Sequence, residues 1–251
     1  MSAIRKPIFI VPEPFSSLSA SSALAGHPAS HLGRFNAIGL TWQGGGTVTG
    51  TFASAKTIDF CAVVSANAQP GTTVRVQAGA FDSGAVPFIN PAISREDGLY
   101  HSHVEFPDPV SASSVAVTIG GHSGTFEASM LVVGKKIEPY KFPNTDWEFG
   151  VKPLGSLDIS RLGVFDEDPG IVLRTVAFTL GWQKEADYET LWRPMIEKLG
   201  NSGIVYCVFD PEPTTYRQNR TYMGVMERPA FTRQIRKVRF YTQDWNITSF
   251  I

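Results

Sequence analysis

Cysteine is scarce, with two in 251 residues. Cys61 and Cys207 each sit inside an apolar, strand-like run in a different half of the chain, which predicts two buried free thiols rather than a disulfide framework or a metal pair. An excess of charge of either sign is also lacking: 22 Lys and Arg stand against 23 Asp and Glu, for a net charge of −1. Nothing global then pulls the protein toward nucleic acid or an anionic membrane, and such contact would need a local patch. No apolar run approaches the roughly 20 residues of a spanning helix. The run at 8–11 is too short for a secretory leader and is crowded by Pro7, Pro12 and Pro14, so the expectation is a soluble chain made without Sec-type export. Catalytic sequence patterns are missing too. No Gly-x-Ser-x-Gly surrounds any serine, and neither Gly44-Gly45-Gly46 nor Gly120-Gly121 leads into a helix or a Lys-Ser/Thr pair. No pair of carboxylates stands out in an aromatic setting, which disfavours a glycan hydrolase. The reading is a protein that is not an enzyme, with no catalytic residue, metal or cofactor assigned.

What is present divides into two parts. Residues 1–134 hold 6 Lys and Arg, 8 Asp and Glu and all five His, whereas 135–251 hold 16 and 15 charges of the two signs. A boundary in 134–143 fits, giving domains at 1–134 and 135–251. The first is rich in Gly, Ser, Ala and Thr, with short β-branched runs at 47–52, 57–65, 73–78, 114–119 and 129–133. Turn residues at 67–71 and 120–124 separate them. That texture predicts a β-sandwich of many short strands. The Ser/Ala-rich tract 16–25 reads as a packed approach to the first strand, because Leu18, Leu24, Leu32, Phe35 and Trp42 recur through and after it.

In the second part, 156–165 (SLDISRLGVF) alternates roughly with period two, slipping between Ile159 and Leu162, as a strand with one wet face does. Residues 166–170 (DEDPG) supply turn chemistry, and 171–182 (IVLRTVAFTLGW) resumes the strand pattern, so a long hairpin is expected. Between 184 and 199 the period changes. Tyr188, Leu191, Trp192, Met195, Ile196 and Leu199 make one helical stripe, stopped by Gly200. Pro194 inside it predicts a kink or two short helices with the stripe still facing a sheet. Strands return at 203–209, 221–226 and 237–241. The fold class is therefore mainly β, two sandwiches, the second carrying one helix and a long hairpin.

Several residues invite a functional reading. His101 and His103 in Tyr-His-Ser-His would share one side of a strand and reach Glu105 as a third metal ligand, but a polar strand face is the plainer account. Asp166, Glu167 and Asp168 imitate a calcium loop without its 12-residue pattern, and a hairpin turn explains them better. Trp42 and Tyr100 are candidates for stacking on a sugar ring, with His101 and His103 beside them; for Trp42 a place in the core is the better reading, and for Tyr100 the two readings balance. Arg228, Arg233, Arg236, Lys237 and Arg239 form a basic cluster with aromatics interleaved; it reads as solvated charge or subunit contacts, or as a surface that touches passing DNA.

A family resemblance rests on three stretches. Residues 20–44 (ASSALAGHPASHLGRFNAIGLTWQG) and 57–79 (TIDFCAVVSANAQPGTTVRVQAG) resemble the opening of a galactose-binding-like, discoidin-type sandwich. Residues 130–151 (MLVVGKKIEPYKFPNTDWEFGV) resemble the junction that follows such a module in tail-tip proteins of tailed bacteriophages and prophages. The second part then resembles the tail-tube fold of distal-tail and baseplate proteins. Asn36-Ala37 stand near the place where a discoidin domain often carries Asp-Gly before the Trp. The resemblance implies a structural virion protein at the tail tip, synthesised in the cytoplasm of a host bacterium, that joins the tail tube to the tip. Its implied partners are further copies in a homo-oligomeric ring of six, tail-tube and baseplate hub proteins, and a host surface glycan, with DNA as passing cargo. Asp158, Arg161, Asp166, Asp168 and Arg174 would be the polar assembly residues of the hairpin. The alternative is a bacterial carbohydrate-binding, lectin-like protein without a virion role.

Overall fold

The computed structural model describes residues 5–36, 39–89, 95, 97–142, 147–159, 161, 163, 165–168, 170–200, 202–214, 216–227, 231–234 and 239–251, with the side chains of 166, 167 and 231 excepted. The chain is mainly β and divides into two compact units, Met1–Glu138 with Tyr206–Thr221, and Pro139–Val205 with Tyr222–Ile251.

The first unit runs through β1 (Ile8–Ile10), β2 (Ser17–Ala23), a 3-10 turn (Ala29–Gly33), β3 (Trp42–Ala66), β4 (Thr73–Ala78), β5 (Phe81–Asp82), β6 (Val86–Pro87), β7 (Val104–Gly120), β8 (Phe126–Gly134) and β9 (Lys136–Ile137). Two long strands, β3 and β7, organise it where short ones were expected, β3 running without a break through both 47–52 and 57–65. β3 pairs antiparallel with β7 along three stretches, Gly46↔Ile119 to Thr51↔Ser114, Lys56↔Ala112 to Ile58↔Val110, and Phe60↔Glu105 to Cys61↔Val104. The register shifts between them are bulges that bend the pair, so one strand serves both layers of a β-sandwich. β2 and β8 pair with β3, and β4 pairs with β7. The burial of β4 alternates along TVRVQA, leaving Val74 and Val76 inside and Arg75 and Gln77 outside. Trp42, Phe88, Phe106 and Phe126 are each 1% exposed and fill the centre. Burying such side chains contributes about 1.5–3 kcal/mol apiece before chain entropy is counted. The Ser/Ala tract is β2, laid against β3, with Leu18 half-buried and Leu32 inside; Leu24 is half exposed.

The second unit holds β10 (Glu148–Pro153), β11 (Ser156–Ile159), β12 (Phe165–Asp168), β13 (Val172–Lys184), a helical run of α1 (Glu185–Asp187), a π segment (Tyr188–Trp192) and α2 (Arg193–Leu199), then β14 (Ile204–Val208), β15 (Thr221–Met226), β16 (Phe231–Gln234) and β17 (Phe240–Ser249). Within it β13 lies between β10 and β17, and β15 and β16 share the other edge of β17. From Tyr206 onward β14 belongs to the first unit, where it pairs with β1 (Ile8↔Val208, Ile10↔Tyr206) and β1 pairs with β9. The apolar run 8–11 thus contains a strand, Ile8–Ile10, whose three residues are 0% exposed. Cys61 and Cys207 are both free, buried thiols, with burial pushing their pKa values up.

The helical stripe falls as its period dictates, with Trp192, Met195 and Leu199 buried. Trp192 meets Trp245 of β17 edge to face at 5.7 Å, and Tyr188 stacks on Tyr241 at 4.4 Å. Pro194 is absorbed by the wide π turn just before it, which removes the need for the amide hydrogen that proline lacks. Among the described residues no helix is long and apolar enough to cross a membrane.

The expected pairing of 156–165 with 171–182 across a turn at 166–170 is not formed: β13 pairs with β10, and a hairpin closes within 156–168 instead. β11 pairs with β12 from Ser156↔Asp168 to Ile159↔Phe165, so the reversal falls between Ile159 and Phe165, where the alternation slips and where Gly163 has φ +76°. Asp166 and Asp168 therefore belong to a strand. The DEDPG segment instead ends at a joint where Gly170 and Gly155 come backbone to backbone, a Cβ on either meeting main-chain atoms of the other. Beyond that joint β11 and β12 form a two-stranded sheet of their own.

Candidate functional site

Two features stand out, one in each unit. In the first unit the carboxylate of Glu105, near the start of β7, collects three donors. Arg5 Nη2 donates to Oε2 at 2.8 Å, Lys136 Nζ to the same oxygen at 3.0 Å, and His103 Nε2 faces Oε1 at 2.8 Å. Burial by itself would push this carboxyl up, but the His103 and Arg5 hydrogen bonds, with Lys136, hold it well below the usual carboxylate range. His103 is shifted down, because burial disfavours the imidazolium more than Glu105 favours it. Asp59, at 6% exposure, is pushed up by burial and opposed by a backbone hydrogen bond from Lys136 N at 2.6 Å.

Glu105, His103 and Val104 form one wall of a cleft of about 420 Å³, completed by Phe81, Asp82, Ser83, Val86, Pro87 and Arg217. Phe81 stacks on Phe106 at 3.9 Å, so one ring face is covered and the partly exposed remainder lines the cleft. The Asp82 carboxylate is fixed by Arg75, by Gln77 Nε2 at 3.0 Å and by the Gly84 amide at 2.9 Å. Arg217, 7% exposed, brings a guanidinium to the same cleft, and its carbonyl accepts from Thr221 Oγ1 at 2.8 Å. The cleft thus offers an apolar floor with preset acceptors and a donor, a combination suited to a small ring carrying hydroxyl groups. Phe81, Asp82 and Arg217 carry no motif. Arg217 reaches the cleft from the segment Tyr206–Thr221, more than a hundred positions from Glu105, and no spacing rule connects them.

The first unit places the sugar-stacking candidates elsewhere. Trp42 is 1% exposed, its Nε1 donates to Ser22 O at 3.1 Å and its ring meets Phe126. Its faces are covered by core. Tyr100 is half-buried, exchanges backbone hydrogen bonds with Ala66, and its hydroxyl accepts from Arg95 N at 3.3 Å. His101 and His103 precede β7 rather than lying in it, because the Tyr-His-Ser-His segment is stitched along β3 through Tyr100 and Ser102. Their rings meet different partners. His101, 2% exposed, accepts at Nδ1 from Ser65 N at 3.0 Å and donates its own amide to Gln218 Oε1 at 2.9 Å. His103 lies edge to face on Phe60. Among the described residues no group of three His, Cys, Asp or Glu side chains is gathered as metal ligands.

The second unit's feature is the hairpin beyond the Gly155–Gly170 joint. Every residue of β11 is exposed, with Leu157 at 61%, Ile159 at 56% and Phe165 of β12 at 67%. This overturns the expectation of a strand with one buried face: leaving the sheet at the joint removes whatever would have covered the apolar positions. The register puts Ile159 opposite Phe165, with Leu157 two positions along the same strand face. Asp158 alternates with them and stands opposite Asp166 in register, as Ser156 does Asp168. Arg161 lies in the turn region and is exposed. Arg174 is back on β13, half-buried, its guanidinium 4.8 Å from the Tyr222 ring and donating to Ile251 O at 3.4 Å. Of the basic cluster, Arg228, Arg236 and Lys237 lie outside the described residues. Arg233 pairs with Asp244, and Arg239 with Glu185 at 3.6 Å.

No family model matches this chain, and no curated protein does. Among solved structures, it is similar to a family 32 carbohydrate-binding module of C. perfringens NanJ in complex with galactose, at 19% identity and a TM-score of 0.38 over 50% of this chain and 98% of that one. It is also similar to a truncated AlyQ with family 32 carbohydrate-binding and alginate lyase domains, at 12% identity and a TM-score of 0.38 over 80% of this chain. The match spans about half of AlyQ's length, 54%. At that level neither likeness carries an argument about ligand or activity.

Proposed function

We propose that this chain is a structural protein that acts by assembling with copies of itself rather than by catalysis, as a component of the tail tip of a tailed bacteriophage or prophage. The observation that carries the assembly reading is the projecting hairpin. Leu157, Ile159 and Phe165 are each more than half exposed on a two-stranded ribbon too small to be stable on its own. A ribbon of that kind needs cover, and a second copy supplies it at every position of a closed ring. The tail-tip assignment rests on the resemblance of the second part of the chain to the tail-tube fold. Sedimentation velocity across a concentration series tests assembly: species several chains in mass, growing with concentration, are expected. Ring-shaped particles by electron microscopy of the tail tip, on its axis, would place them. A monomer at all concentrations, found off that axis, rejects the proposal.

A second reading is favoured by the Glu105 cleft: a carbohydrate-binding protein in which Phe81 packs against a sugar's C–H face and Asp82, Glu105 and Arg217 take its hydroxyls. Titration of the full chain with simple sugars, galactose included, at millimolar concentration tests it. Saturable binding that is lost in Phe81→Ala supports this reading, and no binding at those concentrations removes it. The full chain is required because Arg217 comes from a segment far beyond residue 134.

A further inference from the structure

His103 lines the Glu105 cleft with its two ring nitrogens in opposite situations. Nε2 lies 2.8 Å from Glu105 Oε1, and because an ionised carboxylate accepts and cannot donate, Nε2 carries the hydrogen. In the neutral ring Nδ1 is then a bare acceptor. Among the described residues Nδ1 has no hydrogen-bond partner, and it is not one of the polar atoms sealed inside without one. Its lone pair is left for whatever enters the cleft. Little in this arrangement can swing aside. Arg5 Nη2 and Lys136 Nζ hold the other carboxylate oxygen of Glu105 at 2.8 and 3.0 Å, and Phe60 of β3 meets the imidazole edge to face at 5.1 Å. The carboxylate therefore fixes the tautomer and the orientation of the ring together.

Protonation would turn Nδ1 from acceptor into donor and add a charge beside Arg217. The groups around the ring set how readily that happens. Glu105 favours the imidazolium, whereas Arg217 from the Tyr206–Thr221 segment and Arg5 from the N-terminal segment oppose it, and burial opposes it most. The remaining charges are engaged elsewhere: Lys136 of β9 with Glu105, Asp59 of β3 with the Lys136 amide, and Asp82 across the cleft with Arg75. Tyr206 of β14, which packs on Phe60, is kept neutral by burial. We propose that the cleft takes a ring bearing hydroxyl groups, one of which donates to His103 Nδ1, and that this bond makes binding proton-gated, the ligand being held by the neutral imidazole and released by the protonated one. This deepens the carbohydrate reading and rests on it. The sign follows from linkage. The hydroxyl bond requires the unprotonated ring, so the affinity is level while His103 is neutral and falls by about tenfold per pH unit once it protonates, in a window below 6.5. An acid bound through Arg217 would show the opposite sign, since it cannot donate to Nδ1 and gains from a second cation.

The test is titration calorimetry of the full chain with galactose, glucose and mannose at millimolar concentration, the sugar that binds being carried from pH 7.5 to pH 4.5. Circular dichroism at each pH shows that the chain is still folded. Affinity is expected to fall at least tenfold over that range, and buffers of different ionisation heat should report about one proton released per sugar at the acid end. That proton count needs no variant. His103→Asn keeps a carbonyl acceptor near the place of Nδ1 and carries no titratable group. It is expected to bind at pH 7.5 within about threefold of the unsubstituted chain and to lose the dependence on pH. Binding that is equally strong at both ends, that strengthens in acid, or whose pH dependence survives in His103→Asn overturns the gating and leaves the carbohydrate reading standing. If none of the sugars binds at any pH, both fall.

Discussion

At the scale of single residues the chain's most consequential group is Glu105, a carboxylate kept ionised inside the first unit by two cationic side chains, Arg5 and Lys136, and by its hydrogen bond with His103. Removing its charge leaves Arg5 and Lys136 facing a neutral amide, so Glu105→Gln is expected to cost about 2–3 kcal/mol in chemical denaturation. The pH dependence has a definite sign. Glu105 is depressed in the fold from an ordinary value of 4.5, so its contribution is present above that pH and lost as pH falls toward the folded value. His103 is likewise depressed from 6.5, so the unfolded chain takes up its proton first and stability declines as pH drops below 6.5. Both act in one direction. Melting temperature is expected to fall from pH 6.5 downward, and in Glu105→Gln the part of the loss below pH 4.5 should shrink. None of this was legible in the residue pattern: His103 and Glu105 read as a polar strand face, with a metal set as the lesser alternative, and the cations that actually meet Glu105 come from positions 5 and 136.

Among elements, the hairpin and the helix show how far periodicity carries. The stripe Tyr188, Leu191, Trp192, Met195, Ile196, Leu199 faced the sheet as its spacing required, because a 3.6-residue period and a sheet face leave one way to bury it. Trp192→Ala should therefore cost about 3–5 kcal/mol, read as a lowered midpoint of the second unit. The hairpin followed the opposite course. Alternation in 156–165 marked strand correctly at 156–159 but ran on through the reversal between Ile159 and Phe165, and alternation states only that two faces differ, not that either is covered. Its turn moved because Gly163 accepts a positive φ more cheaply than the acidic stretch bends, and Asp166 and Asp168 became strand positions. Gly155→Ala or Gly170→Ala is expected to drive a methyl into the opposing backbone and splay the joint. Faster proteolysis at residues 156–168 with an unaltered melt of the rest would report it. Replacing 156–168 by an Asn-Gly turn should abolish self-association and leave the sheet and helix folded, by circular dichroism and sedimentation.

For the whole molecule, the proposed assembly would draw on the exposed apolar residues of the hairpin and on the charges around them. Screening by salt acts on the second alone, since the Debye length shrinks from about 10 Å at 0.1 M to about 3 Å at 1 M. Self-association is therefore expected to weaken between those concentrations and not to vanish, the exposed leucine, isoleucine and aromatic surfaces remaining. Complete loss in 1 M salt would mean that the apolar residues contribute nothing.

Composition and periodicity by themselves determined that the chain is mainly β, that its strands at 73–78 and 221–226 lie where their runs lie, that one broken helix backs a sheet, and that two cysteines are buried thiols. These are local matters, since strand and helix patterns are written in neighbours a few positions apart. Tertiary structure alone decided that Tyr206–Thr221 groups with the first unit, that Arg217 meets Glu105 in one cleft, that Trp42 is sealed in the core, and that Leu157, Ile159 and Phe165 stand exposed. Each of those depends on which distant segments come together, and the free energy that brings them together is burial summed over the whole unit, a quantity no window of sequence contains.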